Sequence, residues 1–281
     1  MTRNTTTVAF IGFGEVGRRF SRDLVANDGI AVAAYDIIMD DPARRAAMEE
    51  AARAIGGVTC STSANSACRG ADIVISAVTA DQAEQVAADA ARFLTAGQIY
   101  LDVNSASPST KKRAASAVNT SGASYVEAAV MAAVLQPGIR VPILAGGPAA
   151  EAAATRLNKL GMNITPVAIE YGRASAIKLS RSIMIKGIEA LILDCARASR
   201  HWGVEREVFG SLGQTFPSIA WSDLADAMAE RVAKHGVRRA AEMREAAEML
   251  AEMSLEPGLA RAVADAQERG ARPARKREEG G

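Results

Sequence analysis

Short apolar, β-rich runs alternate with Ala-rich stretches as far as residue 169, and no such run follows residue 170. The runs lie at 6–12, 30–36, 57–61, 71–78, 98–104, 124–131, 141–147 and 163–169. The first five lack strict polar/apolar alternation, as strands covered by helices on both faces do. Strand–helix alternation of this kind predicts an α/β, Rossmann-type doubly wound sheet. Beyond 170 the pattern is helical. Residues 171–202 read as one long helix with Ile177, Met184, Ile188, Leu191 and Cys195 as its core stripe. Further helices fit 204–213, 217–234 and 236–254. The expected organisation is a dinucleotide-binding domain over 1–168 and an all-helical substrate and dimerisation domain over 169–268. A polar tail, 269–281, is expected to be disordered because it has almost no large apolar groups to bury.

The segment "VAFIGFGEVGRRF" places Gly12, Gly14 and Gly17 directly after a predicted strand and at the start of a predicted helix. In that context Gly12 permits a tight turn and Gly14 lets the backbone approach a pyrophosphate. Gly17 allows close strand–helix packing, and the helix N-terminus supplies oriented N–H groups. Phe13, Glu15 and Val16 complete the cofactor-binding loop. The second run ends in Asp36, where a carboxylate accepts hydrogen bonds from ribose hydroxyls and repels a 2′-phosphate. NAD is therefore expected over NADP, although Arg44 and Arg45 follow closely and could reach a phosphate. Val78 and Thr79 stand at the carboxyl end of another strand, where the switch-point crevice should hold the cofactor.

Composition narrows the remaining classes. A formal charge of +1 gives no global attraction to nucleic acid or an acidic membrane surface. No window approaches the ~18 uninterrupted apolar residues of a membrane span. The three cysteines, Cys60, Cys68 and Cys195, are scattered, and the two histidines do not cluster, so neither a disulfide framework nor a metal site is expected. A cytoplasmic protein with a small-molecule substrate is the expectation.

With a long helix after such a domain, the chain resembles the β-hydroxyacid dehydrogenases, which include 3-hydroxyisobutyrate and 6-phosphogluconate dehydrogenases and, more distantly, imine reductases. The likeness covers most of the chain and rests on "FIGFGEVG", "DVNSASP" (102–108), "YVEAAVMAAV" (125–134) and "GRASAIKLSRS" (172–182). It implies that Asn104 and Ser105 lie beside the nicotinamide and contact the substrate. It implies that Lys178 is the general acid–base group, and that Ser182 stands where the family often has Asn. Where the family has Ser-Gly-Gly in its substrate segment, this chain has Met131, Ala132 and Ala133. The C-terminal region is similar to that of a subgroup of uncharacterised members.

The implied activity is hydride transfer between a nicotinamide cofactor and a small hydroxy acid or related alcohol or carbonyl. Such a reaction needs a group that moves the accompanying proton, with a pKa tuned towards neutrality. Lys178 sits among the small residues Ala174 and Ser175, which leave room for a ligand, and to one side of the predicted core stripe. His235 and Arg239, with Arg238, form a cationic cluster suited to an anionic substrate group. An imine reductase-like enzyme and a non-catalytic dinucleotide-binding sensor are the alternatives. The apolar and Ala/Met-rich helices after 170 offer more apolar surface than a thin helical layer can hide, which predicts a homodimer.

Overall fold

A computed structural model describes residues 5–271. All the β-rich runs form strands: β1 (Thr6–Ile11), β2 (Ile30–Tyr35), β3 (Val58–Cys60), β4 (Ile73–Ser76), β5 (Ile99–Asp102), β6 (Ser124–Val130), β7 (Pro142–Gly146) and β8 (Asn163–Ala168). They build one sheet in the order β3-β2-β1-β4-β5-β6-β7-β8. Every pair is parallel except β6–β7. The crossovers carry α1 (Glu15–Val25), α2 (Pro42–Ile55), α3 (Ala64–Cys68), α4 (Ala83–Ala90), α5 (Pro108–Asn119) and α6 (Ala150–Asn158). The order reverses at β1/β4, the switch point at which α/β sheets bind ligands outside their strand ends.

The central strands β1, β4, β5 and β6 feed two cores. Val8, Phe10, Ile73, Ile75, Leu101 and Val126 pack on one face, while Ala9, Val74, Tyr100 and Tyr125 pack on the other. Successive side chains point to opposite faces, so burial on both explains why the runs are apolar without alternating.

The chain divides between Lys178 and Leu179 into two compact units, later than the boundary at 168/169 expected from the last strand. The division falls within α7 (Arg173–Trp202). The second unit also holds α8 (Glu205–Thr215), α9 (Trp221–Glu252) and α10 (Gly258–Ala271). Ile192, Ala196, Phe209, Ala225 and Met228 form one of its apolar clusters.

Three expectations for this unit are corrected. The α7 stripe is not a core: Ile177, Met184, Ile188 and Leu191 are exposed, and Cys195 is half-buried. The buried face of the helix in the second unit instead includes Ser182, Lys186 and Glu189, each satisfied by polar partners. Hydrophobic periodicity finds an apolar face but does not say what covers it. Second, the helices expected at 217–234 and 236–254 are one helix, α9. Third, Gln267 to Ala271 belong to α10, with Gln267 buried, so residues 269–271 are helical rather than part of a disordered tail; residues 272–281 lie outside the described ones.

Gly236 reads as a break in the sequence and is a packing site in the fold. A Cβ there would stand 2.2 Å from the Gln267 carbonyl oxygen and 2.9 Å from the Ala271 Cβ. Replacing Gly236 with Ala gains up to about 1 kcal/mol of helix propensity. Forcing an extra methyl against backbone costs about 1–3 kcal/mol or more. The clash decides the sign: Gly236→Ala should lower stability by about 1–2 kcal/mol in urea unfolding, whereas a stabilised variant would contradict the packing.

Candidate active site

The loop between β1 and α1 is built on the glycines. Gly12 has φ +96°, and a Cβ there would lie 2.3 Å from the Ala77 carbonyl oxygen, so β1 can approach the end of β4 only without a side chain. A Cβ on Gly17 would meet the Gly12 carbonyl oxygen at 2.4 Å, which seats α1 directly against the loop. Gly14 differs: nothing lies within 4 Å of its would-be Cβ, and it caps α1 with no side-chain hydrogen bond. An open backbone surface at an uncapped helix N-terminus fits a pyrophosphate.

Asp36, just beyond β2, holds this loop. Its Oδ2 accepts from the Phe13 N–H at 2.7 Å and its Oδ1 from the Ile38 N–H at 3.0 Å. A carboxylate has about four acceptor positions, so two remain for ribose hydroxyls. Arg45 donates Nε to the Met39 carbonyl and Arg18 to the Phe13 carbonyl, while Arg44 is exposed. Glu15 is exposed and Val16 half-buried on the first turn of α1.

The other side of the crevice comes from β4 and β5. Asn104 is 4% exposed: its Oδ1 accepts from the Val78 N–H at 2.7 Å and its Nδ2 donates to Ser76 Oγ at 3.0 Å. Its side chain thus ties the ends of β4 and β5 together. Thr79 opens the following turn and hydrogen-bonds Asp81, whose carboxyl it holds below the usual range. Ser105, half-buried on the same loop as Asn104, accepts a hydrogen bond from the Nζ of Lys178. Lys178 is itself half-buried. Two residues far apart in sequence, one from the loop after β5 and one from α7, therefore bring an amine and a hydroxyl into contact.

Beneath this contact lie three buried charged residues, Asp102, Lys111 and Glu127, of which Lys111 was not singled out from sequence. Asp102 ends β5 with no exposure and pairs with the equally buried Lys111 at 2.8 Å. Lys111 also donates to the Asp102 carbonyl at 2.9 Å, Tyr125 donates its hydroxyl to Oδ2 at 2.7 Å, and the Asn104 N–H donates to Oδ1 at 2.9 Å. Burial first, and the Asp102 charge second, hold the Tyr125 phenol well above its ordinary range, so it stays a donor. Lys111 had one legible signal. It shares a helical face with the buried Ala114, Ala115 and Val118, which a solvated lysine would not. Glu127 on β6 is likewise fully buried, and accepts from the Gly172 N–H at 2.5 Å and the Ser175 N–H at 2.6 Å.

Other expected substrate residues are placed differently. The Met131 N–H is taken by the Pro142 carbonyl at 2.9 Å, while Ala132 and Ala133 are exposed after β6. In the second unit Ser182 donates to Glu242 and accepts from Lys186 at 3.1 Å, and Lys186 pairs with Glu242 at 3.2 Å. Burial pushes the Lys186 ammonium below the usual lysine range. Arg239 pairs with the buried Glu189, which Arg231 also meets at 3.1 Å. His235 is half-buried on the same helix.

Residues 7–168 match the model of the NAD binding domain of 6-phosphogluconate dehydrogenase, and residues 199–270 match a domain of unknown function, DUF1932. A conserved hypothetical protein from Sinorhizobium meliloti 1021 is 37% identical, with a TM-score of 0.81 over 98% of this chain and 91% of that one. The conserved protein MTH1747, of unknown function and described as structurally similar to 3-hydroxyacid dehydrogenases, is 32% identical. Its TM-score is 0.72 over 94% of this chain and 97% of its own. The 3-hydroxyisobutyrate dehydrogenase of Mycobacterium tuberculosis, in a structure with L-serine, is 16% identical and shares the fold, with a TM-score of 0.73 over 95% and 94% of the two chains.

Removing one partner of a buried ion pair leaves an uncompensated charge and costs about 3–5 kcal/mol. Lys111→Met should lower unfolding stability by that amount, and adding Asp102→Asn should recover part of it. A Lys111→Met protein as stable as wild type in chemical denaturation would contradict the role given to the pair.

Proposed function

Because the chain belongs to the β-hydroxyacid dehydrogenase superfamily, we propose that it is an NAD(P)-dependent oxidoreductase. It acts on the alcohol/carbonyl couple of a small hydroxy acid or related compound, with Lys178 as general acid–base. The observation that carries this reading is the contact between Lys178 Nζ and Ser105 Oγ, in the same unit as an open glycine cradle. A bound nicotinamide dinucleotide would supply or accept the hydride.

The chain's own residues do the rest. Gly14 and the first N–H groups of α1 bind the pyrophosphate, and Asp36 takes the adenosine ribose through its free acceptor positions. A fixed carboxylate there disfavours a 2′-phosphate, so NAD is the preferred cofactor. Ser105 orients the Lys178 side chain, whose ammonium gives a proton to the substrate oxygen during reduction and whose neutral amine takes one during oxidation. Such proton transfer contributes roughly 10²–10⁴-fold to rate. Substrate contact falls to Ser105 and Lys178, and to the exposed backbone at Ala132 and Ala133 beside Met131. The three free cysteines accord with a cytoplasmic setting.

A panel of hydroxy acids, ketones, semialdehydes and cyclic imines with NADH and NADPH tests the reading. Lys178→Met should lose about 10²–10⁴ in kcat while still binding NADH; unchanged turnover would overturn Lys178's role. Binding of NAD without turnover of any compound would instead make the protein a sensor, and turnover of imines alone an imine reductase. NADH should be preferred over NADPH at least about tenfold in kcat/KM, the worth of one well-placed charge contact. A preference for NADPH would refute the role of Asp36.

The protein works as a homodimer. The exposed Met184, Ile188 and Leu191, spaced along one helical face, support this, because an apolar stripe in water is covered when two copies associate. Light scattering should give twice the chain mass, and Leu191→Glu should shift it towards the monomer. A wild-type monomer at micromolar concentration would contradict the dimer.

A further inference from the structure

Asp102 and Glu127 are register partners on the adjacent parallel strands β5 and β6, and both are fully buried. Each uses its carboxylate on backbone N–H groups rather than on solvent. Asp102 takes the N–H of Asn104, on the loop that carries Ser105. Glu127 takes the N–H of Gly172 and of Ser175, at the start of the helix that carries Lys178. Space for Glu127 is made by Gly146 on β7, where a Cβ would stand 2.8 Å from Glu127 Oε2.

From this we infer that Glu127 is a positioning residue for Lys178: it clamps the first turn of α7 to β6 and so sets the amine against Ser105. The inference rests on the proposed role of Lys178. Four N–H groups at a helix start lack partners within the helix, and a carboxylate there meets both their donors and the positive end of the dipole. The cations beside this turn are Arg173 on α7 and Lys112 on α5, whose stem would lie 3.2 Å from a Cβ at Gly172.

The sign of its removal follows. Loss of the Glu127 charge and loosening of the Lys178–Ser105 hydrogen bond both disfavour the ammonium of Lys178. Competitive acetylation of the full-length protein across a pH series, read by peptide mass spectrometry, gives the titration midpoint of Lys178 without needing a substrate. The exposed Lys159 serves as internal reference. Glu127→Gln keeps the side-chain volume but turns an amide donor towards N–H donors. It should lower the Lys178 midpoint by about one unit, a tenfold change in the amine:ammonium ratio, and leave Lys159 unmoved. Glu127→Asp keeps the charge with a shorter reach and should give a smaller fall; it serves alone if Glu127→Gln does not fold.

A midpoint unchanged in the folded variants overturns the positioning role. That outcome is separable from failure of the catalytic reading, which the turnover of Lys178→Met decides independently. On any compound the panel shows to be turned over, Glu127→Gln should lose at least about tenfold in kcat with cofactor affinity within twofold of wild type.

Discussion

An ammonium and a carboxylate with no exposure, Lys111 and Asp102, fix the carboxyl end of the central strand β5. Charges so placed are tolerated only when fully partnered, because desolvation costs several kcal/mol per ion. Here the partners are complete: the Tyr125 hydroxyl, the Asn104 N–H and the Lys111 amine converge on one carboxyl group. The loop that follows is therefore held where Asn104 bonds the end of β4 and Ser105 meets Lys178. A purely apolar plug would fill the space but would not fix the direction of that loop.

The cofactor half of the crevice rests on absences of side chain. Gly12 and Gly17 are forced, because a Cβ at either would stand 2.3 or 2.4 Å from a backbone carbonyl oxygen, whereas Gly14 faces open space. The first two make the cradle rigid and the third leaves it accessible. Asp36 adds a hydrogen bond from across the β1–β2 pair, so a ribose would meet a carboxylate already oriented by Phe13 and Ile38. Pre-organisation of this kind spares the ordering cost at binding.

The sheet was legible from sequence because burial on both faces leaves a local signature, a short apolar run bounded by turns. The loop geometry was legible at Gly12, Gly17 and Asp36, since the motif and its spacing are themselves local. The polar interior was not. Lys186 and Glu189 look like solvated helix residues, and only tertiary partners on α9 and α10 reveal that they are buried. The same blindness assigned Met184 and Leu191 to a core, because periodicity identifies a face and not its neighbour. Gly236 carried a further ambiguity: a glycine that breaks a helix and one that admits a crossing backbone are written identically.

The central claim is that one amine, aimed by buried polar groups, stands where a proton must move as hydride transfers at the nicotinamide. A crystal structure with NAD bound tests it most directly. The account predicts the pyrophosphate against Gly14, the adenosine ribose on Asp36, and Lys178 Nζ one small substrate away from the ring, within about 3–3.5 Å of a bound substrate oxygen. A dinucleotide seated elsewhere, or an amine turned away from the nicotinamide, would contradict it.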